Sequence, residues 1–252
     1  MTSGAPHLVP PGGGRRFEAT RRVRVGDVLP SGGARLDALA RYLQDVATDD
    51  GVDAGLDPGL GWVTRKTVLD IRRRPTTGQW LHLTTWGSGT GSRWAERRTT
   101  IAVEGTVVVE AAALWVCIDL ATLRPAKLPD RFWRVYGEAV GDRTVPSRLG
   151  HPDPAPELLG RARRWPLRLT DFDMFDHVNN AATWTPIEDE LLRVSEPAAI
   201  RWVELEYRVP IDHGAAVGLV SQLDGSTARV WLVREGTIFA SAVAGVGAGL
   251  RA

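Results

Sequence analysis

The alternation of hydrophobic and polar residues predicts an antiparallel meander in the first half of the chain. Four β-like runs follow one another, at residues 62–71, 80–86, 93–103 and 107–118. Their lengths and patterns are typical of strands. The last two runs are separated by Glu104-Gly105-Thr106, whose glycine favours a tight hairpin turn.

One helix and one further strand are predicted ahead of this meander. A weak alternation at residues 17–25 predicts the strand, and a Pro-Ser-Gly-Gly segment at 30–33 ends it. Apolar residues then recur at helical spacing, up to a glycine at position 51 that can end a helix: Leu36, Leu39, Leu43, Val46 and Ala47. The first half is therefore predicted to be a strand–helix–meander unit.

Proline and glycine set the predicted domain boundaries. Residues 1–14 are mostly proline, glycine and small residues and are predicted to be disordered. Prolines recur through residues 120–164, with a short helical piece predicted near 132–140. We therefore divide the chain into a first domain at 15–136, a linker at 137–164 and a second domain at 165–252.

The second half repeats the pattern of the first. Three pairs of segments match in the same order: 23–27 with 167–171, 70–72 with 206–208, and 104–108 with 235–239. The spacing between partners falls from 144 to 131 residues as the loops shorten. Three matches in one order predict a duplicated unit.

The densest group of chemically active residues lies where the second unit begins: Asp171-Phe172-Asp173-Met174-Phe175-Asp176-His177-Val178-Asn179-Asn180. A strand-like run at 165–170 precedes this segment, and a helix-forming run that ends at 188–193 follows it. The acidic, imidazole and amide groups thus lie where a strand leads into a helix. A helix start offers unpaired N–H groups and a positive dipole end, which can polarise a carbonyl group.

Two positions compete for the start of this helix. Asn179 or Asn180 can serve as the N-cap, a common role of asparagine. Residues 185–188, Thr-Pro-Ile-Glu, have the features of a later start. We predict the start at Asn180, which requires a kink at Pro186.

The residues of this segment also have structural interpretations. A histidine such as His177 is more often structural than catalytic, and Asp171 and Asp176 are interpreted as surface or turn residues. The cluster favours a reactive site, because Asp173, His177 and Asn179 fall within seven residues at one junction.

The composition argues against several other classes of function. A net charge of +1 over 252 residues gives no electrostatic basis for nucleic-acid binding, and no apolar run is long enough to span a bilayer. The single cysteine, Cys117, excludes an intrachain disulfide, and the histidines show no metal-ligand spacing. No phosphate loop, dinucleotide fingerprint or nucleophile elbow is present, so no metal or cofactor is predicted. The N-terminus lacks the order of a signal peptide, and we expect a cytoplasmic protein.

At residues 171–180 the sequence resembles the hotdog-fold thioesterases. The motif is similar to that of the small acyl-CoA members, and Val178-Asn179-Asn180-Ala181 is its most specific part. The duplicated layout resembles the acyl-ACP thioesterases of plants and bacteria, and segments 39–47, 62–65 and 112–116 are similar to them too. The resemblance implies an α+β fold of two tandem hotdog units, each an antiparallel sheet wrapped around one long helix.

The same resemblance implies a role for five residues. Asp173 matches the catalytic aspartate, as general base or nucleophile, and His177 matches the active-site histidine. Asn179 and Asn180 match the asparagine pair at the helix start, where backbone N–H groups stabilise the oxyanion. Asn179 is also counted with the catalytic residues. Phe175 replaces an asparagine of the plant enzymes and is predicted to be an apolar wall of the substrate site.

Two further differences from the family pattern are visible. The plant enzymes have a glutamate and a cysteine after the Leu-Glu-Tyr-Arg strand, where residues 209–211 are Val-Pro-Ile. Asp176 stands where the small enzymes have glycine. The plant-type catalytic set is therefore incomplete, and the motif resembles the simpler machinery of the small enzymes.

The resemblance implies hydrolysis of a fatty acyl thioester on acyl carrier protein or coenzyme A, in fatty acid biosynthesis, by a chain that can form a homodimer. Two other functions stay open: a hotdog hydratase or dehydratase, and a non-catalytic acyl-carrier-binding protein. The hydratase motif places its histidine five residues after the aspartate, whereas His177 is four after Asp173. Leu29 and Gly33 stand at the first-half positions of Asp173 and His177, which predicts one active site per chain.

Overall fold

A computed structural model describes residues 8–247, where eleven strands form one antiparallel sheet and four α-helices accompany it. The strands are β1 (Phe17–Arg22), β2 (Leu60–Ile71), β3 (Trp80–Thr90), β4 (Trp94–Val103), β5 (Thr106–Asp119), β6 (Arg124–Pro125), β7 (Arg163–Trp165), β8 (Ile200–Tyr207), β9 (Val217–Asp224), β10 (Thr227–Arg234) and β11 (Thr237–Val246). The helices are α1 (Leu36–Asp53), α2 (Asp130–Val140), α3 (Pro156–Leu159) and α4 (Trp184–Val194).

The strand order repeats when it is followed outwards from the middle of the sheet. On one side it runs β2-β5-β4-β3-β1, and on the other β8-β11-β10-β9-β7. β2 and β8 pair at the centre, with Thr67 opposite Leu205. Each half contains a short edge strand, a helix, a central strand and a three-stranded meander in the same order along the chain. An antiparallel sheet with few helices agrees with the predicted α+β class.

The two meanders close with the same kind of hairpin turn. Glu104 and Gly105 have φ angles of 50° and 77°, and Glu235 and Gly236 have 44° and 84°. Two successive residues with positive φ match the right-handed twist of the flanking strands, and glycine adopts that conformation without steric cost. The turn predicted at 104–106 is therefore confirmed, together with its repeat.

One hydrophobic core extends across both halves. From α1 it includes Leu36, Leu39 and Val46, and from α4 it includes Trp184 and Ile187, all of them fully buried. Burial of each such side chain contributes about 1.5–3 kcal/mol. β2 and β8 supply residues to the same core, so the halves share one interior.

The helix boundaries differ from the predicted ones at two places. α1 continues past Gly51 to Asp53, and Gly55 then adopts a φ of 61°. A glycine in the last turn weakens a helix but does not end it if the N–H groups that follow still bond to helical carbonyls. Here the Ala54 N–H donates to the Asp50 carbonyl.

α4 begins at Trp184, four residues after the predicted start at Asn180. With this start Pro186 is the third helical residue, where its missing N–H has no intrahelical partner to lose.

The segments between and before the two halves are less regular. α2 confirms the helical piece predicted near 132–140. The strand-like run predicted at 165–170 is wrong in extent, because β7 ends at Trp165 and the next residue is a proline without an N–H. Of the segment predicted to be disordered, residues 1–7 lie outside the described part, and residues 8–14 contain bends with Gly14 against Ala139. Within residues 8–247, no helix has the length and apolar character needed to cross a membrane.

Candidate active site

The loop that carries the motif is built on the carboxylate of Asp171. This side chain is buried and accepts hydrogen bonds from the Arg168 N–H at 2.8 Å and from the Arg168 guanidinium at 2.8 Å. The Asp171 carbonyl accepts the Asn179 N–H at 2.8 Å. Asp171 is thus a turn residue, as one interpretation had it, but it lies inside the protein and ties together the two ends of the loop.

Asp173 lies two residues further, at the exposed end of this loop. Its N–H donates to the His177 carbonyl at 2.9 Å, and its Oδ1 accepts the Phe175 N–H at 2.9 Å. Asp176 closes the turn with a φ of 61°, a conformation that aspartate tolerates better than most residues. Met174 and Phe175 are 89% and 62% exposed at the rim. The loop therefore presents an acid beside two exposed apolar side chains.

His177 is joined to Asp173 through the backbone, while its imidazole has another partner. Its Nε2 lies 3.3 Å from Asp212 Oδ1, and the two residues also form a β-bridge. Among the described residues no hydrogen bond links the His177 and Asp173 side chains. Asp212 could not be predicted from the sequence, because it follows β8 in the chain and meets the motif only through the bridge between the two loops.

The asparagine pair forms the turn that precedes α4. Asn179 Oδ1 accepts the Ala181 N–H at 2.8 Å, and the Asn179 carbonyl accepts the Thr183 N–H at 3.1 Å. Asn179 therefore caps a first turn, the structural role that its residue type permits. The predicted helix start at this pair is replaced by that turn.

Asn180 connects the motif to both halves of the protein. Its Nδ2 donates to Thr64 Oγ1 on β2 at 3.3 Å, and its carbonyl accepts the Tyr207 hydroxyl at 3.1 Å. The Trp184 indole N–H donates to the same Tyr207 oxygen at 2.9 Å. An indole N–H can only donate, so the Tyr207 proton is directed to Asn180. Burial raises the pKa of Tyr207, which keeps the hydroxyl protonated.

Thr64 reaches this position because β2 carries a bulge. The register of β2 against β5 shifts between Thr64 and Lys66, which leaves Arg65 as the extra residue. Arg65 donates to the Arg208 carbonyl at 3.0 Å, and burial lowers its pKa although Glu206 opposes this. Sequence similarity at 62–65 marked this segment, but its contact with the second half is visible only in three dimensions.

The first half contains the same loop without its reactive residues. Leu29 N–H donates to the Gly33 carbonyl at 2.8 Å, as Asp173 N–H does to His177. Arg35 N–H donates to the Asp27 carbonyl at 2.8 Å, as Asn179 N–H does to Asp171. Gly32 has a φ of 84° at the position of Asp176. A constant spacing of 144 residues relates the two loops, with leucine, glycine and arginine in place of the acid, histidine and asparagine.

Three apolar residues of the first half lie away from this loop in the chain. Leu39 and Leu43 of α1 are packed in the shared core. Trp115 on β5 has a buried indole N–H without a hydrogen-bond partner among the described residues.

A second polar cluster was not foreseen from the sequence. It consists of His151, Glu204 and Glu206. One side-chain atom of each, of a kind that could bind a metal ion, lies within 4.8 Å of those of the other two. Glu206 already accepts the N–H groups of Gly150 and His151 at 2.6 and 3.1 Å, and Lys66 lies 3.7 Å from Glu204. We interpret this cluster as the anchor of the linker on the sheet.

Comparisons with known proteins agree with the fold and with the family resemblance. Two family models match the chain: the acyl-ACP thioesterase N-terminal domain over residues 14–136, and the acyl-ACP thioesterase C-terminal domain over residues 160–238. An uncharacterized protein of Mycobacterium tuberculosis is 26% identical over 92% of this chain and 93% of its own length. A chloroplastic acyl-[acyl-carrier-protein] hydrolase of Cuphea viscosissima is 25% identical over 84% of this chain, which spans 56% of that hydrolase.

Solved structures share the architecture at low sequence identity. The 12:0-ACP thioesterase from Umbellularia californica is 19% identical with a TM-score of 0.75, and the match covers 94% of this chain and 97% of that one. An acyl-ACP thioesterase from Bacteroides thetaiotaomicron is 17% identical with a TM-score of 0.76, over 91% and 97% of the two chains. These likenesses show a common fold, and the two family matches together cover most of the sequence. The chain belongs to the acyl-ACP thioesterase family.

Proposed function

We propose that this protein hydrolyses fatty acyl thioesters of acyl carrier protein or coenzyme A at the loop of residues 171–180. The observation that carries the proposal is the backbone ladder of this loop. Its bonds Asp173–His177 and Asp171–Asn179 hold an acid at the loop end and an asparagine turn at its base. Acid and hydrogen-bond donors are the two groups that thioester hydrolysis requires.

The proposed reaction assigns a role to each predicted residue. Asp173 accepts a proton from water that attacks the carbonyl carbon, or it attacks the carbon itself and forms an acyl anhydride that water then hydrolyses to the fatty acid and free Asp173. The Asn180 N–H donates to no other group within residues 8–247, and it stabilises the oxyanion. The C–S bond then breaks, and the thiolate leaves with a proton returned by Asp173 or taken from water. His177, held by Asp212 at 3.3 Å, orients the acid, the water or the thioester.

The finer architecture is part of the same proposal. We propose two tandem hotdog units with the predicted boundaries, 15–136 and 165–252, joined by the linker at 137–164. The repeated strand order and the equivalent hairpins support it. A cytoplasmic location, a place in fatty acid biosynthesis and a homodimer stay predictions.

Release of free thiol from acyl thioesters tests this function. The full chain is incubated with acyl-ACP and acyl-CoA of short, medium and long acyl chains, and thiol and fatty acid are measured. A thioesterase releases both in equal amounts. Enoyl and hydroxyacyl thioesters are included, because a hydratase or dehydratase would interconvert them and leave the thioester intact. A binding protein would retain the acyl carrier unchanged, so either result would contradict the proposal.

We expect one active site per chain. A non-hydrolysable acyl-CoA analogue should titrate to one equivalent per chain in calorimetry, because the first-half loop has Leu29 and Gly33 where the second has Asp173 and His177. Binding at two equivalent sites per chain would show that the first half also forms a functional site.

Phe175→Ala should change chain-length preference more than the chemical step. The side chain is 62% exposed at the rim and forms no part of the core. We expect kcat for the best substrate to change less than about tenfold, while the ratio of kcat/KM between long and short chains shifts. Met174→Ala is the matched control, since Met174 is its exposed neighbour. A loss of kcat as large as that of Asp173→Asn, with KM unchanged, would indicate a direct chemical role for Phe175.

A further inference from the structure

The helices that follow the two equivalent loops obey the same spacing of 144 residues. α4 (Trp184–Val194) corresponds to residues 40–50 of α1, and the turn at Asn180 corresponds to the first residue of α1, Leu36. By the same spacing Glu188 on α4 corresponds to Gln44 on α1. Two equivalent sets result, each with a helix-start N–H from one half and a long polar side chain from the helix of the other half. They are Leu36 with Glu188, and Asn180 with Gln44.

In the first half these two groups are in contact. The Leu36 N–H donates to Glu188 Oε2 at 2.8 Å, across the boundary between the halves. The other oxygen, Oε1, accepts from Arg74 Nη1 at 2.6 Å. The Glu188 carboxylate therefore already accepts the hydrogen bond of the Leu36 N–H at the start of α1. It occupies the place where the oxygen of a reacting thioester would have to bind.

At the helix start of the second half, the corresponding groups are the Asn180 N–H and the Gln44 side chain, and neither has its hydrogen-bond partner among the described residues. The hydrogen bonds of residues 8–247 include none from the Asn180 N–H. Gln44 Oε1 is buried and has no hydrogen-bond partner within the same residues, although the side chain as a whole is only partly buried. Buried polar atoms without a partner are uncommon, and they point to a partner that arrives with a ligand. By the spacing of 144 residues, Gln44 and Asn180 are the counterparts of Glu188 and Leu36, which are in contact.

We propose that Gln44, supplied by the first half, binds the thioester carbonyl oxygen together with the Asn180 N–H. The proposal rests on the proposed function and names a further residue for that site. A glutamine amide is neutral and carries both an acceptor and two donors, and its two ends are interchangeable in space. Its N–H can therefore donate to the carbonyl oxygen beside Asn180 as that oxygen becomes negative. A glutamate, as in the first half, offers only acceptors and would repel the oxyanion.

Two substitutions at position 44 test this role through turnover. Gln44→Met keeps the size of the side chain and removes its donors, and Gln44→Glu recreates the first-half arrangement. Loss of one oxyanion donor lowers kcat by about 10²–10³-fold. We expect each variant to lose at least this much of the parent kcat. Thr48→Glu is the control, because Thr48 is exposed one turn further along α1. It should stay within about twofold of the parent.

The backbone amide signal of Asn180 in solution NMR gives a second readout that needs no substrate. In Gln44→Glu this signal should move downfield and follow the ionisation of the new carboxyl group, whereas Thr48→Glu should leave it unchanged. An Asn180 signal that does not respond overturns the proposal whatever the rates. So does a kcat within twofold in both Gln44 variants of an active parent. A parent that cleaves no acyl thioester would overturn the proposed function instead, and the NMR response would then decide the placement of Gln44 alone.

Discussion

Asp173→Asn should lower kcat for acyl thioester hydrolysis by about 10²–10⁴-fold, the usual loss when a general base or nucleophile is removed. Asparagine keeps an oxygen that can accept the Phe175 N–H, the bond that Asp173 Oδ1 makes at 2.9 Å. The loop should therefore keep its shape while it loses the basic, nucleophilic oxygen. Steady-state kinetics with acyl-CoA and acyl-ACP measure the effect, and circular dichroism checks the fold.

Asp176→Asn is the matched control for this prediction. Asp176 lies in the same loop with a φ of 61°, a conformation that asparagine also tolerates, so the backbone should be preserved. The control should retain kcat within a few-fold. If Asp176→Asn abolished turnover while Asp173→Asn preserved it, the acid of the motif would have been assigned to the wrong aspartate.

Glu188→Ala should reduce the free energy of unfolding by about 3–5 kcal/mol, the range for breaking a buried ion pair from one side. Arg74 and Glu188 have side chains 7% and 4% exposed, and the substitution leaves the Arg74 guanidinium buried without its counter-charge. It also removes the acceptor of the Leu36 N–H. Burial raises the pKa of Glu188, while the charge of Arg74 and the Leu36 N–H oppose this. Urea unfolding measures the loss.

Asp189→Asn is the control in the same helix. Asp189 pairs with Arg163 at 3.0 Å, but both side chains are substantially exposed, at 49% and 39%. Exposed ion pairs contribute about 0–1 kcal/mol, so this variant should be close to the parent. A Glu188→Ala variant that loses no more than Asp189→Asn would show that the buried pair does not hold the two halves together.

The strands, the hairpins and the family could be predicted from the sequence because they depend on local patterns. Alternation over ten or more residues located β2 and β4, and a Glu-Gly turn located both hairpins. The spacing of 144 residues proved to relate two loops with the same hydrogen bonds. The acyl-ACP thioesterase resemblance, carried mostly by residues 171–180, was confirmed by the family matches.

The parts that could not be predicted depend on contacts between distant segments. Asn180 meets Thr64, and Leu36 meets Glu188, although each pair is more than a hundred residues apart in the chain. The start of α4 was misplaced because two local cap patterns competed, and the helix begins between them, at Trp184 with Thr183 as its N-cap. The roles of Asp173, His177 and Phe175 stay predictions, which turnover of the variants described above tests.

Hydrolysis in ¹⁸O-labelled water tests the central claim most directly. The full-length protein is mixed with acyl-ACP or acyl-CoA over many turnovers, and mass spectrometry follows the acyl product while thiol release is measured in parallel. The account predicts a free fatty acid that carries oxygen from the solvent, formed in step with the thiol, and a large loss of both in Asp173→Asn. An acyl group that stays on its carrier, with or without added water across a double bond, would contradict it.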